Sequence, residues 1–276
     1  MPVWSGWQRR KARVCCDFCR WHIRCCQGFA VNVSIAQSAA ALNANSRWQE
    51  MISENLASSS IPGFKRQDMS FSAVEAGVMT TSPNTQHWAM PRVSGATNFK
   101  AGDYKFTDSK TDVAIDGSGF FQVQLPDGSN AYTRDGEFQI NSQGQLTTKE
   151  GYLVVGDSGT IQLDRNNAGA LGIAQTGELS QGAERRGKLK VVDFAQPEQL
   201  TAIGGGLFVP GTSGAQPEDV TQPSLRQGFV ETANTSTVTE MVNLISCMRS
   251  YEANQKVIQM HDDRMGKAIS ELGTPS

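Results

Sequence analysis

Very little in this chain of 276 residues points to chemistry. It holds three histidines, and only His87 and His261 lie beyond the first thirty residues. His261-Asp262-Asp263 occupy consecutive positions of a predicted helix, so their side chains diverge and make a poor metal site. Gly204-Gly205-Gly206 has neither the Lys-Ser/Thr of a phosphate loop nor a following helix, and reads as a turn. Asp116, Asp127 and Asp135 each precede glycine, which turn geometry explains, and no carboxylate pair stands out as facing across a cleft. Neither an enzyme activity nor a cofactor is expected. The formal charge of −2 leaves no basic excess for nucleic acid. No run is apolar enough to span a bilayer, and no repeat of roughly 20–50 residues is evident.

Cysteine is scarce except in one place. Residues 1–30 hold five of the six (Cys15, Cys16, Cys19, Cys25, Cys26) and three of the five tryptophans. They also carry six Arg/Lys against one acid, a local charge of +5 that leaves −7 for the remaining 246 residues. Three readings compete for this segment. A metal or redox site could use the Cys15–Cys26 cluster with His22, but the ligands are crowded into twelve positions where a structural zinc site sets two pairs farther apart. A secretory signal lacks its apolar core, because Gln27, Asn32, Ser34, Gln37, Ser38 and Asn43 interrupt the uncharged run. The preferred reading is a non-native extension, with Val31 as the expected start and Cys247 as the one remaining thiol, a small packing residue.

Proline is missing from Thr235 to Leu272, and Gly266 is the only glycine there. Leu244, Tyr251, Ile258, Met265 and Leu272 recur every seven residues. A companion set at spacings of three and four contains Met241, Met248 and Ile269, interrupted by Gln255 and Asp262. This period predicts an amphipathic helix of about 57 Å that needs another helix beside it. Ser34–Ser58 supplies one, with Ile35, Ala39, Leu42, Ile52 and Leu56 on one face, Ser34 as N-cap and Pro62-Gly63 as the stop. Tyr251, Ile258, Leu244, Met265, Met241 and Met248 are expected to bury against Ile35, Leu42, Ile52 and Leu56, or against their equivalents in neighbouring copies.

Between the helices, short apolar runs alternate with Asp-Gly and Gly turns. Val113–Ile115, Phe120–Val123, Tyr132, Phe138–Ile140, Leu146, Tyr152–Val155, Ile161–Leu163, Lys188–Phe194 and Leu207–Val209 read as strands, and Pro210–Pro223 as a returning linker. The predicted class is α+β: N- and C-terminal helices pair as a coiled-coil layer, with a glycine-rich all-β domain inserted between them. The expected boundaries are 31–63, 64–228 and 229–276.

Several stretches resemble the bacterial flagellar rod, hook and axial proteins. Asn55-Leu56-Ala57 followed by Gly63-Phe64-Lys65-Arg66 is similar to the signature closing that family's first helix. The run with Asp116, Gly117, Gly119, Phe120 and Phe121, and the run with Tyr132, Arg134, Gly136 and Phe138, resemble its central part. Gln227-Gly228-Phe229-Val230-Glu231 resembles the approach to the last helix, which carries Glu240, Tyr251, Glu252 and Asn254. Thr232–Thr237 and Lys110-Thr111-Asp112 depart from the pattern. The resemblance implies a structural subunit of the basal-body rod, part of the drive shaft. It further implies export through the flagellar type III apparatus without a cleaved signal, and assembly in the periplasm with itself and other rod and hook proteins, without membrane insertion. Lys188–Phe194 followed by Leu207-Phe208 looks more like the proximal-rod member than the distal-rod or hook members.

Overall fold

The computed structural model describes residues 26–78, 87–164, 169–211 and 214–273. Cys15, Cys16, Cys19 and Cys25, and with them nearly all of the expected extension, lie outside the described residues. The first helix, α1, runs Cys26–Ala57. It begins well before Ser34, so Ser34 lies inside the helix and does not cap it. No proline interrupts this stretch, and Gly28 costs only about 1 kcal/mol. The helix ends in a serine turn, where Ser59 Oγ donates to Leu56 O at 2.7 Å, and Pro62 prevents its resumption. The last helix, α2, runs Thr237–Gly273. Ser236 O accepts the first helical bond, from Glu240 N at 2.9 Å, and Glu240 puts an acid in the positively polarised first turn.

The chain divides into two compact units. The larger comprises Glu50–Ser70 and Gly95–Leu244. It is built from β3 (Tyr104–Phe106), β4 (Val113–Ile115), β5 (Phe120–Gln124), β6 (Asn130–Thr133), β7 (Phe138–Ile140), β8 (Leu146–Thr148), β9 (Leu153–Gly156) and β10 (Gly159–Thr160). The chain continues through β11 (Leu171–Ile173), β12 (Glu178–Gln181), β13 (Glu184–Lys188), β14 (Val191–Phe194), β15 (Leu200–Gly204), β16 (Leu207–Pro210), β17 (Pro217–Asp219), β18 (Leu225–Gln227) and β19 (Phe229–Glu231). The main sheet runs β15-β16-β6-β5-β9-β8-β7, with β10 on β9 and the β14–β17 pair joined to β5. Smaller sheets are β11-β12-β13, β18-β4 and β19-β3, all with antiparallel pairing.

Two apolar clusters fill this unit. One gathers Val113, Ile115, Phe121, Val123, Phe138, Leu146, Leu179 and Leu189, with the Phe121 and Phe138 rings edge to face at 5.1 Å. The other is aromatic, with Phe120, Tyr132, Phe194 and Phe208 around Val192 and Leu200. Burying large apolar side chains in such numbers, at about 1.5–3 kcal/mol each, is what holds a domain of short strands together. Three expectations need correction. Pro210–Pro223 is not only linker, because β17 pairs with β14 and its proline sits at the strand's start, where no ladder donor is needed. Lys188–Phe194 is not one strand: β13 ends at Lys188 and β14 begins at Val191. Ile161–Leu163 contributes a single bridge, Gln145 to Gln162.

The smaller unit takes in the chain up to Gln49, Phe71–Ser94 and Ile245 onward. Strands β1 (Gln67–Val78) and β2 (His87–Thr97) pair as a two-stranded ribbon whose outer part belongs here. Trp48 of α1 stacks edge to face on Phe71 of β1 at 5.9 Å. Cys247 of α2 is 1% exposed, and its thiol donates to Asn45 O of α1 at 3.3 Å. Burial raises the pKa of this thiol, which makes Cys247 a packing residue with little thiolate character.

Candidate functional site

The most constrained polar arrangement lies within the larger unit, where both ends of the chain join the β domain. After α1 the chain turns at Gly63, and Phe64 and Lys65 follow into the interior. Burying a charge costs several kcal/mol unless it is paired. Lys65 and Glu231 are each 1% exposed, with Lys65 Nζ 2.6 Å from Glu231 Oε1. Lys65 Nζ also donates to Lys100 O at 2.8 Å, and Gly102 N donates to Glu231 Oε1 at 2.9 Å. Glu231 Oε2 accepts from Arg134 Nη1 at 3.2 Å. Arg134 spends Nη2 on Gly117 O at 2.8 Å and lays its guanidinium over the Phe120 ring, 5.2 Å from the centroid. One carboxylate therefore serves two cations, one per oxygen. Burial lowers the Lys65 pKa, and Glu231 opposes that shift.

A shell of amides locks the same junction. Asn55, at the end of α1, donates to Gln67 O and accepts from Gln67 N, each at 2.9 Å. Asn234, just before α2, accepts from Arg66 N at 2.6 Å and donates to Asn98 O at 2.7 Å. Gly63 N donates to Glu231 O at 2.7 Å. Arg66 Nε lies 2.8 Å from Glu240 Oε1, and Glu240 is 1% exposed; this is an ion pair by distance that neither atom completes as a hydrogen bond. Four segments far apart in sequence are thereby tied together: 55–67, 98–102, 117–134 and 231–240. The arrangement can clamp; its central lysine, arginine and glutamate are enclosed and engaged with one another, and it presents no nucleophile.

Nearby, Asp135 is 5% exposed, and its Oδ1 accepts from Glu137 N at 2.9 Å. Burial pushes its pKa up to about 7, with that hydrogen bond opposing and the Glu137 and Glu150 charges adding to the rise. A carboxyl with a raised folded pKa contributes stability that is complete below about pH 4 and lost as pH rises through about 7. At about 1.4 kcal/mol per unit, a rise from 3.8 to about 7 makes the loss on the order of 4–5 kcal/mol. Asp135→Asn keeps the acceptor and cannot ionise. It is expected to stabilise the β domain at pH 8 and do little at pH 4, as read by urea denaturation at the two pH values; equal effects at both would refute the assignment.

The residues singled out from sequence separate into two groups. Asn55, Gly63, Phe64, Lys65, Gly117, Phe120 and Arg134 converge on the junction. Asp116 pairs with Arg226 nearby, its Oδ2 3.0 Å from Nε. Phe121, Tyr132 and Phe138 lie in the apolar clusters, Gly119 leads into β5, and Gly228 N donates to Asp112 O at 2.8 Å. Ala57 is the exposed last residue of α1. Of the helical residues, Ile52 is buried, and Ile35, Leu42, Leu56, Leu244, Tyr251, Asn254 and Ile258 are half-buried. Met241, Met248, Met265 and Glu252 are exposed. The positions of α2 that join Leu244, Tyr251 and Ile258 on the covered face are Glu240, Cys247 and Asn254 in place of Met241, Met248 and Gln255. Sequence reasoning overlooked Glu231 and Asn234 as partners. Their signal was a charged and an amide residue just before the last helix, matching Lys65 after the first helix and Asn55 in its last turn.

Among the described residues no cluster of three or more His, Cys, Asp or Glu could hold a metal. Residues 114–181 match the family model described as flagellar hook protein FlgE/F/G D1 domain, and residues 226–271 match that of the flagellar basal body rod FlgEFG protein C-terminal region. The flagellar basal-body rod protein FlgG of Buchnera aphidicola subsp. Schizaphis graminum is 34% identical over 257 residues, covering 85% of this chain and 97% of that protein. FlgG of Caulobacter vibrioides is 32% identical over 263 residues, 87% of this chain and 98% of its own. FlgF of the same organism is 31% identical over 228 residues, covering 81% and 91%. With relatives of this identity aligned across nearly their whole length, the chain belongs to the flagellar basal-body rod protein family.

Proposed function

We propose that the chain is a structural, non-enzymatic subunit of the flagellar basal-body rod, polymerising through α1 and α2 while the glycine-rich β domain stays a passive body. The observation that carries this is kinship with rod proteins over 97% of a relative's length. The heptad spacing of Leu244, Tyr251 and Ile258 supports a coiled-coil layer in the assembled state. So does the exposure of Met241, Met248 and Met265, which a lone chain leaves in water. Its partners are then copies of itself and other rod and hook proteins, after passage through the type III export apparatus without a cleaved signal, in the periplasmic rod. The axial core comprises 31–63 and 229–276, with 64–228 between them. The ionic junction would hold each helix at a fixed point of the β domain as torque passes through. The metal alternative based on the Cys15–Cys26 cluster gains no support from the relatives.

Deleting the gene should stop basal-body assembly within the rod, as seen by electron microscopy. Tyr251→Asp and Ile258→Asp each place a charge on the helical seam. Both should abolish incorporation into basal bodies and leave the β-domain melting transition unchanged. Functional flagella built from either variant would sink the proposal.

A further inference from the structure

One hollow in the smaller unit has a cationic lining that neither the helix packing nor the ionic junction uses. Ala40, Asn43, Ala44 and Arg47 follow one another at spacings of three, one and three, which puts them on one face of α1. Arg92 and Val93 of β2 form the opposite wall, and the cavity measures about 280 Å³. The two alanines make the hollow, because their methyl groups leave the helix surface low where β2 passes. Its walls are held in place. Trp48, next to Arg47, packs edge to face on Phe71 of β1 at 5.9 Å, and Ser72 Oγ of β1 donates to Arg92 O at 3.4 Å. Ala44 is buried, whereas Asn43, Arg47 and Arg92 are exposed. Neither guanidinium has a hydrogen bond or an ion pair with a described residue, and no acid is among the lining side chains. Two cations on one cavity run against the charge of −7 carried by residues 31–276.

We propose that this cleft binds a phosphate group, carried on a small soluble ester or on a lipid headgroup. A guanidinium is a planar fork that engages an oxyanion two donors at a time. A single carboxylate offers one such edge and is satisfied by one arginine. A tetrahedral phosphate offers several edges, so it engages Arg47 and Arg92 together and leaves an oxygen for the Asn43 amide. The volume falls just short of the roughly 300 Å³ at which small-molecule pockets begin, so the phosphate carries a substituent of only a few atoms. Ala40, Ala44 and Val93 supply the apolar wall against which that substituent lies. A nucleic acid backbone needs a longer track of cations than two arginines in a notch. Because the cleft is open and its arginines are solvated, the affinity is modest, with Kd on the order of 0.1–1 mM at low salt. The inference does not depend on the rod role proposed above.

Isothermal titration of the full-length chain with glycerol phosphate at low salt reads the binding directly. Arg47→Gln and Arg92→Gln keep long polar side chains at exposed positions, and each should weaken binding about tenfold or more. Ala40→Leu leaves both arginines in place, fills the cavity and should weaken binding to a similar extent. Lys105→Gln removes an exposed cation from β3 of the larger unit and should leave binding unchanged. Matching thermal melts of the two arginine variants and the unaltered chain control for folding. Cosedimentation with phosphatidylglycerol vesicles separates the two sources. Vesicle retention that both arginine variants lose, with weak binding of the free ester, assigns the phosphate to lipid. Binding of the free ester without vesicle retention assigns it to a soluble ligand. Absence of both, or binding that Lys105→Gln weakens as much as the arginine variants do, would overturn the site. Tighter binding of glutarate than of glycerol phosphate would overturn phosphate as its ligand, and undiminished binding by Ala40→Leu would overturn the cavity as its place.

Discussion

Glu231→Ala is expected to remove roughly 3–5 kcal/mol from the stability of the β domain, because it leaves two buried cations without their shared counter-charge. Lys65 Nζ loses a partner at 2.6 Å and Arg134 Nη1 one at 3.2 Å, in a place where neither side chain is more than 6% exposed. Lys65 retains Lys100 O, and Arg134 retains Gly117 O and the Phe120 ring; these dipoles do not cancel a charge. The deficit has a pH signature. Burial already lowers the Lys65 pKa and Glu231 holds it up, so removing Glu231 lowers it further. At high pH the lysine escapes the penalty by losing its proton, and the destabilisation should shrink from pH 6 to pH 9. Equilibrium urea unfolding at both values measures it. A loss below about 1 kcal/mol at pH 6 would show the pairs to be dispensable. Replacing Lys65 and Glu231 together with methionine and leucine should cost less than Glu231→Ala.

Gly63→Ala is expected to be comparably severe, by a different route. Gly63 has φ +67, where an alanine is strained by about 1 kcal/mol. A Cβ there would also lie 2.3 Å from the Arg134 carbonyl carbon and 2.5 Å from Asp135 N. Both obstacles are backbone, so the chain after α1 must lift away from β6. That movement would break the 2.7 Å bond from Gly63 N to Glu231 O and pull Lys65 off its carboxylate. A loss of about 4 kcal/mol or more is expected, with the denaturant midpoint as the measurement. Gly128→Ala serves as a control, since it shares a positive φ but meets nothing within 4 Å, and should cost about 1 kcal/mol. Equal losses at the two glycines would mean that packing against Arg134 contributes nothing.

Local chemistry was the readable part of this fold. Period-seven apolar residues and the absence of proline marked α2, and Asp127-Gly128 marked the β5–β6 hairpin, where Asp127 Oδ1 accepts from Ser129 N at 2.9 Å. Asp135-Gly136 carries the same dipeptide and does something else. Gly136 is there because Val113 O would lie 1.7 Å from its Cβ, and Asp135 is buried with a raised pKa. Strands β11 to β13 were missed because Glu178–Gln181 and Glu184–Lys188 lack the apolar alternation that announces a strand. The junction was half legible: Gly63, Lys65 and Arg134 were picked out by resemblance, but pairing across 166 residues, as between Lys65 and Glu231, leaves no trace in local spacing. The face of α2 that is covered within one chain takes Glu240 where hydropathy alone would choose Met241. Methionine outranks glutamate by hydropathy, and only Arg66 beside Glu240 makes the acid acceptable inside.

The bond between Gly63 N and Glu231 O, 2.7 Å long, has a consequence for how such a chain can change. The polypeptide from 64 to 231 departs from and comes back to almost the same point, so apart from the β1–β2 ribbon, whose Phe71 packs on Trp48 of α1, it is a cassette hung on a single hinge pin. It can be lengthened, trimmed or exchanged for a relative's without resetting where either helix begins, provided that the lysine, the arginine and the glutamate of the pin travel with it.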